Sequence, residues 1–296
     1  MHIAAILGPG NLAKPFAVFQ REAKAEWTSL IEQADVIVIF GGDGTIHHQL
    51  PTLVELGVPV LIVPCGSGND FARALGLRNI RQSLSAWEKF SADGNNVRSI
   101  DLGVVRQAAK LRPVPVNATS NFNDPNESRH YFCCVAGVGL DAAVARRANA
   151  LPKWIRSHGG YGLTAPKEFL RFEPLPMRIS QNGFSPGPFC PITLAAVANA
   201  PSYGGGMKIA PKAQLDDGKL DVCVVRGMTR LNLFRLFPTV YFGGHLKSDK
   251  VEYVQTCSTR IETESPLEVY ADGEYVCETP VEFSVAPKAL QVIVPK

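Results

Sequence analysis

The chain has 296 residues, 46% of them hydrophobic and 19% charged, enough to bury a sizeable core and a length between one large domain and two ordinary ones. A formal net charge of +3 is too small an excess to imply a nucleic-acid partner. No apolar run reaches the roughly 18 residues that cross a bilayer, the start lacks a signal peptide's basic head and long apolar stretch, and the seven cysteines form no Cys-x-x-Cys pair, so a cytoplasmic protein with reduced thiols is expected.

Ile3 to Leu7 reads as a short buried strand, followed by Gly8-Pro9-Gly10-Asn11 and a helical stretch from about Leu12 to Gln20, the opening of an α/β fold. Gly8 and Gly10 suit a tight turn as well as a nucleotide contact. Trp27 to Ala34 reads as one or two helical turns. Val36 to Phe40 is then an unbroken apolar run, the pattern of a parallel strand covered on both faces, and it stops on Gly41-Gly42-Asp43-Gly44-Thr45. Glycines here let backbone N–H groups approach an anion with no Cβ in the way and put Asp43 within reach of a metal-bound phosphate, although an ordinary strand-to-helix turn carries glycines too.

Ile46 to Leu56 reads as a helix, Val58 to Pro64 as a second apolar strand, and Cys65-Gly66-Ser67-Gly68-Asn69-Asp70 as a second glycine-rich turn before a helix over Phe71 to Gly76. Two such turns at the carboxyl ends of neighbouring strands mark the ligand crevice of an open α/β sheet. Near residue 98 the character changes to short apolar and alternating strands, beginning with Ser99 to Val104. The expected architecture is a nucleotide-binding α/β domain with a Rossmann-like parallel sheet over residues 1–98, then a mostly antiparallel β-sandwich domain over 99–296 whose last strand has the option of returning to the first domain.

In the second part, residues 113–129 read as a loop carrying Asn-x-Ser/Thr sites at Asn117 and Asn126, and Tyr131 to Ala136 as a strand holding Cys133 and Cys134 as small apolar residues. Gly137-Val138-Gly139-Leu140-Asp141-Ala142 fits a dinucleotide fingerprint, but no second strand ending in an acid follows about 20 residues on, so a packing turn before a helix over Asp141 to Ala150 is expected. Cations and large apolar residues interleave from Ala145 to Arg156, the composition of either a solvated helix face or a contact with an anionic membrane surface. After a helix over Tyr161 to Phe172, strands follow at Met177 to Ser180, Ile192 to Ala198, Leu220 to Val225, Arg260 to Thr263, Leu267 to Ala271, Val281 to Val285 and Leu290 to Val294, with one helix at Leu231 to Tyr241.

Five motifs in this order, Gly41 to Thr45, Gly66 to Arg73, Gly204-Gly205-Gly206-Met207 with Ile209-Ala210-Pro211, Leu215 to Gly218, and Asp272-Gly273-Glu274, resemble the diacylglycerol kinase catalytic-domain family, which includes bacterial lipid kinases and sphingosine and ceramide kinases. The resemblance implies ATP-dependent transfer of a phosphoryl group to a diacylglycerol- or sphingoid-like lipid in a cleft between the domains, with transient peripheral contact with the membrane. It implies that Gly41, Gly42, Gly44, Thr45, Ser67 and Asn69 hold the nucleotide, that Asp43, Asp70 and Asp101 organise Mg²⁺, and that Asp272 or Glu274 takes the proton of the lipid hydroxyl. Alternation along a strand would put Asp272 and Glu274 on one face, while Asp-Gly is also a hairpin signal. By the same resemblance Gln214, Asp217 and Lys219 match a structural Mg²⁺ site.

The chain departs from the family pattern at Leu7 to Asn11, where Asn-Pro-x-Ser-Gly is usual, in the short segment before Val36, and at His48, where an acid usually stands. These departures keep a second reading open, a catalytically weakened lipid- or nucleotide-binding protein on the same scaffold, and a third, a NAD kinase-like enzyme, since such enzymes share the first motif. Oligomeric state leaves no sequence signal.

Overall fold

Every residue of β3 (Val36–Gly41) is buried. Its parallel neighbours are β1 (His2–Leu7) on one side and β4 (Val60–Pro64) on the other, and β2 (Glu26–Thr28) extends the sheet beyond β1. The unbroken apolar run therefore has the cause its composition suggested: α1 (Ala13–Ala23), α2 (Asp43–Leu56) and α4 (Ile80–Asp93) pack against this sheet and leave β3 no solvent face. The computed structural model describes residues 1–10, 12–23, 25–108, 129–151, 160–183 and 187–295. Asn117, Asn126 and the cation-rich segment after Pro152 lie outside the described residues.

Residues 26–33 differ from expectation. They form the three-residue strand β2 and a single 3₁₀ turn at Ile31–Gln33. Trp27 is drawn to the sheet edge by edge-on contacts with Phe16 and Phe19, at centroid distances of 5.3 and 6.4 Å. Three residues are too few for either period to register in the sequence.

The second region is a mostly antiparallel β-sandwich built from β5 (Val97–Gln107), β6 (Arg129–Phe132), β7 (Val135–Gly139), β8 (Leu175–Gln181), β9 (Cys190–Ala198), β10 (Leu220–Arg226), β11 (Val251–Thr256), β12 (Ser258–Thr263), β13 (Glu268–Ala271), β14 (Glu274–Glu278) and β15 (Val281–Ile293). Residues of β9 alternate between two cores: Leu194, Ala196 and Ala198 face the helices, whereas Ala195 and Val197 face the sandwich interior. Over it lie α5 (Leu140–Asn149), α6 (Gly160–Phe169) and α7 (Arg230–Val240).

Strand β15 ties the two regions together. Two strands were expected over 281–294; the chain instead forms one 13-residue strand with a bulge between Ala286 and Leu290. It pairs along β5, and near its end Val292 pairs in parallel with Val60 of β4, so hydrogen bonding is continuous across the molecule. Among the described residues no helix is long and apolar enough to cross a membrane.

Candidate active site

The two glycine turns meet back to back at the carboxyl ends of β3 and β4. A Cβ on Gly66 would lie 2.4 Å from the Gly42 Cα, and one on Gly42 would lie 2.8 Å from the Gly66 Cα, so neither position accepts a side chain without separating the turns. Gly8, in the altered amino-terminal turn, is equally constrained, because a Cβ there would come within 2.4 Å of Thr45 Oγ1. Asn69, at φ 51°, locks the second turn: its side chain accepts from the Gly66 N–H at 2.9 Å and donates to the Gly66 carbonyl at 2.6 Å. Ser67 is left exposed at the turn's tip.

Asp43 begins α2, and its carboxylate accepts the N–H groups of Asp70 (2.9 Å) and Phe71 (3.1 Å), capping the short helix α3 (Asp70–Ala74) that starts at the second turn. Asp70 is 2% exposed and accepts from the Arg73 guanidinium and, at 2.7 Å, from the Gly205 N–H of the third motif. Burial pushes the Asp43 carboxyl up to about 6, with the charges of Asp70 and Asp272 adding to the rise and the two N–H bonds opposing it. Burial likewise raises Asp70 against the pull of Gly205 and Arg73. Two crowded carboxylates held above their ordinary range gain most when a divalent cation joins them, and carboxylate oxygens are the donors Mg²⁺ prefers.

From the second region, Asp272 and Glu274 arrive on the β13–β14 hairpin. They do not alternate along one strand: Asp272 occupies the turn at φ 51°, and Glu274 opens β14. The Asp272 side chain has no solvent exposure. Its oxygens accept the N–H groups of Cys133 (2.8 Å), Cys134 (2.8 Å) and Val135 (3.3 Å), and His47 Nδ1 donates from α2 at 3.2 Å. Those N–H groups are diverted from sheet pairing, which is why the strand expected over 131–136 breaks into β6 and β7 at Cys133 and Cys134. Burial pushes the Cys133 thiol up to about 12, and the bond with Cys133 together with burial raises Cys134 as well, so both stay protonated, with the Cys133 thiol donating to Asp272 at 3.4 Å. Glu274 is half-buried and aims at the other domain: a Cβ on Gly44 would lie 3.1 Å from its Oε1.

The structure thus gathers Gly41 to Thr45, Ser67 to Asp70, Asp272 and Glu274 into one cleft. Asp101 is employed differently. Its oxygens accept the N–H groups of Gly218 and Lys288, both at 2.7 Å, fixing the Leu215 to Gly218 turn to the β15 bulge. In that turn the Lys219 N–H donates to Asp217 Oδ1 at 3.0 Å, and Gln214 is exposed. Asn199 connects this region to the cleft, donating to the carbonyls of Asp101 and Cys133 at 3.0 and 3.2 Å.

Beside the cleft, α5, α6 and α7 roof a narrow apolar cavity of about 60 Å³ over β9 and β10. Leu233, Leu236, Phe237 and Val240 of α7 line one wall, and Tyr203, two residues from Gly205, lines another. Asp141 reaches the same cavity, accepting the Tyr203 hydroxyl, while burial pushes its carboxyl up to about 6. A Cβ on Gly137 would fall 1.9 Å from Asp141 Oδ2, which gives the glycines of that turn a packing role.

Sequence reasoning missed His47 as the partner of Asp272, the N–H groups of residues 133–135, and Arg73 with Asp70. His47 sits 225 residues from Asp272, so only its place one turn into the helix after the first motif hinted at a role.

Comparison with known proteins agrees with this geometry. The diacylglycerol kinase catalytic domain model matches residues 13–105, and the YegS C-terminal NAD kinase beta sandwich-like domain model matches 134–294. A diacylglycerol kinase of Mycobacterium tuberculosis is 34% identical over 88% of this chain and 77% of its own length, and one of Bacillus subtilis is 25% identical over 90% and 80%. Among solved structures, a protein of Bacillus anthracis str. Sterne superposes with TM-score 0.70 at 23% identity over 99% of this chain and 97% of its own, and a diacylglycerol kinase of that strain with TM-score 0.64 at 20% identity over 99% and 96%. With two glycine turns, a carboxylate hairpin facing them and relatives of this similarity over most of its length, the chain belongs to the diacylglycerol kinase family of lipid kinases.

Proposed function

We propose that this protein transfers the γ-phosphoryl group of ATP to the hydroxyl of a diacylglycerol- or sphingoid-like lipid. The observation that carries this reading is Glu274, a carboxylate with room for a proton, set against Gly44 at the head of the phosphate turn. Backbone N–H groups of Gly41 to Thr45 and the Ser67 hydroxyl would seat the phosphates. Asp43 and Asp70 would hold Mg²⁺, which when bound neutralises charge on the transferring group. Asp217, with the backbone carbonyls of Gln214 and Lys219, remains the candidate for a second, structural Mg²⁺.

In the reaction, Glu274 takes the hydroxyl proton, the freed oxygen bonds to the γ-phosphorus, and the bond from phosphorus to the ADP oxygen breaks. Asp272 is poorly suited to that task. A carboxylate has about four lone-pair sites, and those of Asp272 are occupied by three N–H groups and His47. Its role is to hold the hairpin, and with it Glu274, against α2.

The acyl chain would enter between α7 and the sheet. Helix α7 has no fully buried residue although it is rich in Leu and Phe, so its displacement breaks few buried contacts. Its outer side exposes Leu231 (60%) and, just beyond its end, Phe242 (86%), beside Arg230 and Arg235. The exposed apolar side chains suit transient contact with an anionic bilayer; Arg230 is paired with Glu173, as Arg146 and Arg147 at the start of the stretch expected from sequence are paired with Glu268 and Glu168.

The test is incubation of the pure protein with labelled ATP, Mg²⁺ and a panel of lipid alcohols, with Glu274→Gln and Asp43→Ala as controls. Labelled lipid above both controls supports the proposal; a panel left unlabelled by the native protein removes it.

A further inference from the structure

Between the end of β9 and the third glycine motif runs a short strap, residues 199–205, that is bonded to both carboxylate groups of the cleft. At one end stands Asn199, which has no solvent exposure. Its Nδ2 donates to the carbonyls of Cys133 (3.2 Å) and Asp101 (3.0 Å), and its backbone N–H donates to the carbonyl of Cys134 at 2.8 Å. Carbonyl oxygens only accept, so these neighbours fix which end of the side-chain amide is nitrogen. At the other end the Gly205 N–H donates to Asp70 Oδ2 at 2.7 Å, and the Ser202 hydroxyl lies 3.5 Å from Asp70 Oδ1.

The peptide group between Cys133 and Cys134 joins this strap to the hairpin. Its carbonyl accepts from Asn199 and its N–H donates to Asp272 at 2.8 Å, and because the group is planar, turning it breaks both bonds together. Asn199 holds it at a cost, since its own Oδ1 is buried with no hydrogen-bond partner among the described residues. We infer that Asn199 is a positioning residue for the proton transfer: it orients the Cys133–Cys134 bend toward Asp272, and so sets where Glu274 stands relative to Asp70, to which the same strap is tied through Gly205. It touches no reacting atom and acts through Asp272 and the hairpin. This inference rests on the lipid-kinase reading with Glu274 as base, and it names what fixes the base against the cation site.

The experiment uses Asn199→Leu, which keeps the volume and removes both side-chain donors, with Asn199→Ala in its place if the Leu variant does not fold. Two readouts are taken on the full chain: transfer of labelled phosphate from MgATP to 1,2-dioleoylglycerol or sphingosine in detergent micelles, and amide hydrogen exchange, which needs no catalysis. The variant should lose about tenfold in kcat with KM for MgATP unchanged, because misplacing the base leaves the nucleotide turns alone. The amides of Cys133 and Cys134 should exchange at least about tenfold faster while those of β3 and β4 keep their protection. Since Asn199 acts through Glu274, the double variant with Glu274→Gln should turn over no more slowly than Glu274→Gln alone.

Native kcat in the folded variant overturns the inference while leaving the kinase reading standing. Losses that multiply in the double variant also overturn it, because Asn199 would then act independently of the base; so does a rise in exchange spread evenly over β3 and β4, which marks a general loss of stability. If the native protein labels neither lipid, the kinase reading falls, and the hold of Asn199 on the hairpin is decided by exchange alone: selective loss of protection at Cys133 and Cys134 upholds it, and unchanged protection there removes it.

Discussion

Asp43 accepts the backbone N–H of Asp70, so the carboxylate of the first glycine turn is the cap of the helix that begins at the second. In the proposed reaction the same side chain also holds Mg²⁺. Asp43→Ala should therefore abolish activity and also cost about 1–2 kcal/mol of stability through the lost cap. Denaturant unfolding beside the kinase assay checks both, and an inactive variant of native stability would separate the two roles.

The pH dependence has a defined sign. For Asp43 the folded pKa, about 6, lies above the ordinary carboxylate value of 3.8. Its contribution to stability is present below the unfolded value and is lost as pH rises through about 6. Binding of a divalent cation competes with the same proton, so kcat/KM for MgATP should fall by about tenfold per pH unit below about 6. Initial rates at saturating lipid from pH 5 to 8 test this; a profile flat down to pH 5 would contradict a cation role for Asp43.

His47 provides a second titration across the domain contact. Burial alone would lower its pKa, but the hydrogen bond and charge of Asp272, with the charge of Glu274, outweigh burial and raise it. The stabilisation from this contact is complete below the unfolded value of 6.5 and disappears as pH rises through the raised folded value. The Tm difference between native protein and His47→Ala should accordingly be larger at pH 6 than at pH 9.

Much of this was legible in the chain. Val36 to Gly41 announced a strand buried on both faces, and the glycine turns announced a crevice, because period and composition are local signals. The reason Gly42 and Gly66 are both glycine was not, since each excludes a Cβ on account of the other's backbone. Asp272 and Glu274 were found as a pair, but their division of labour depends on N–H groups at residues 133–135 and on His47, which no spacing rule connects. Strand β2 was too short to carry a period, and β15 looked like two strands because its bulge interrupts the alternation.

The close approach of the two turns gives a further prediction. Gly66→Ala places a methyl group 2.4 Å from the Gly42 Cα, against backbone that cannot rotate away. A destabilisation of about 1–3 kcal/mol is expected, together with loss of the thermal stabilisation that ATP confers on the native protein. Ser67→Ala, at the exposed tip, should leave stability unchanged and weaken only the nucleotide's effect.

The sharpest test of the account is the contrast between the two hairpin carboxylates. Asp272→Ala leaves three buried N–H groups without an acceptor and should cost on the order of 3–5 kcal/mol, so its loss of activity would be accompanied by partial unfolding. Glu274→Gln keeps the shape and removes only the proton acceptor. Measured by transfer of labelled γ-phosphate from ATP to lipid, Glu274→Gln should fold with a native melting temperature and bind ATP as the native protein does, yet turn over at least about a hundredfold more slowly; near-native turnover by that variant would contradict the assignment of Glu274 as the base.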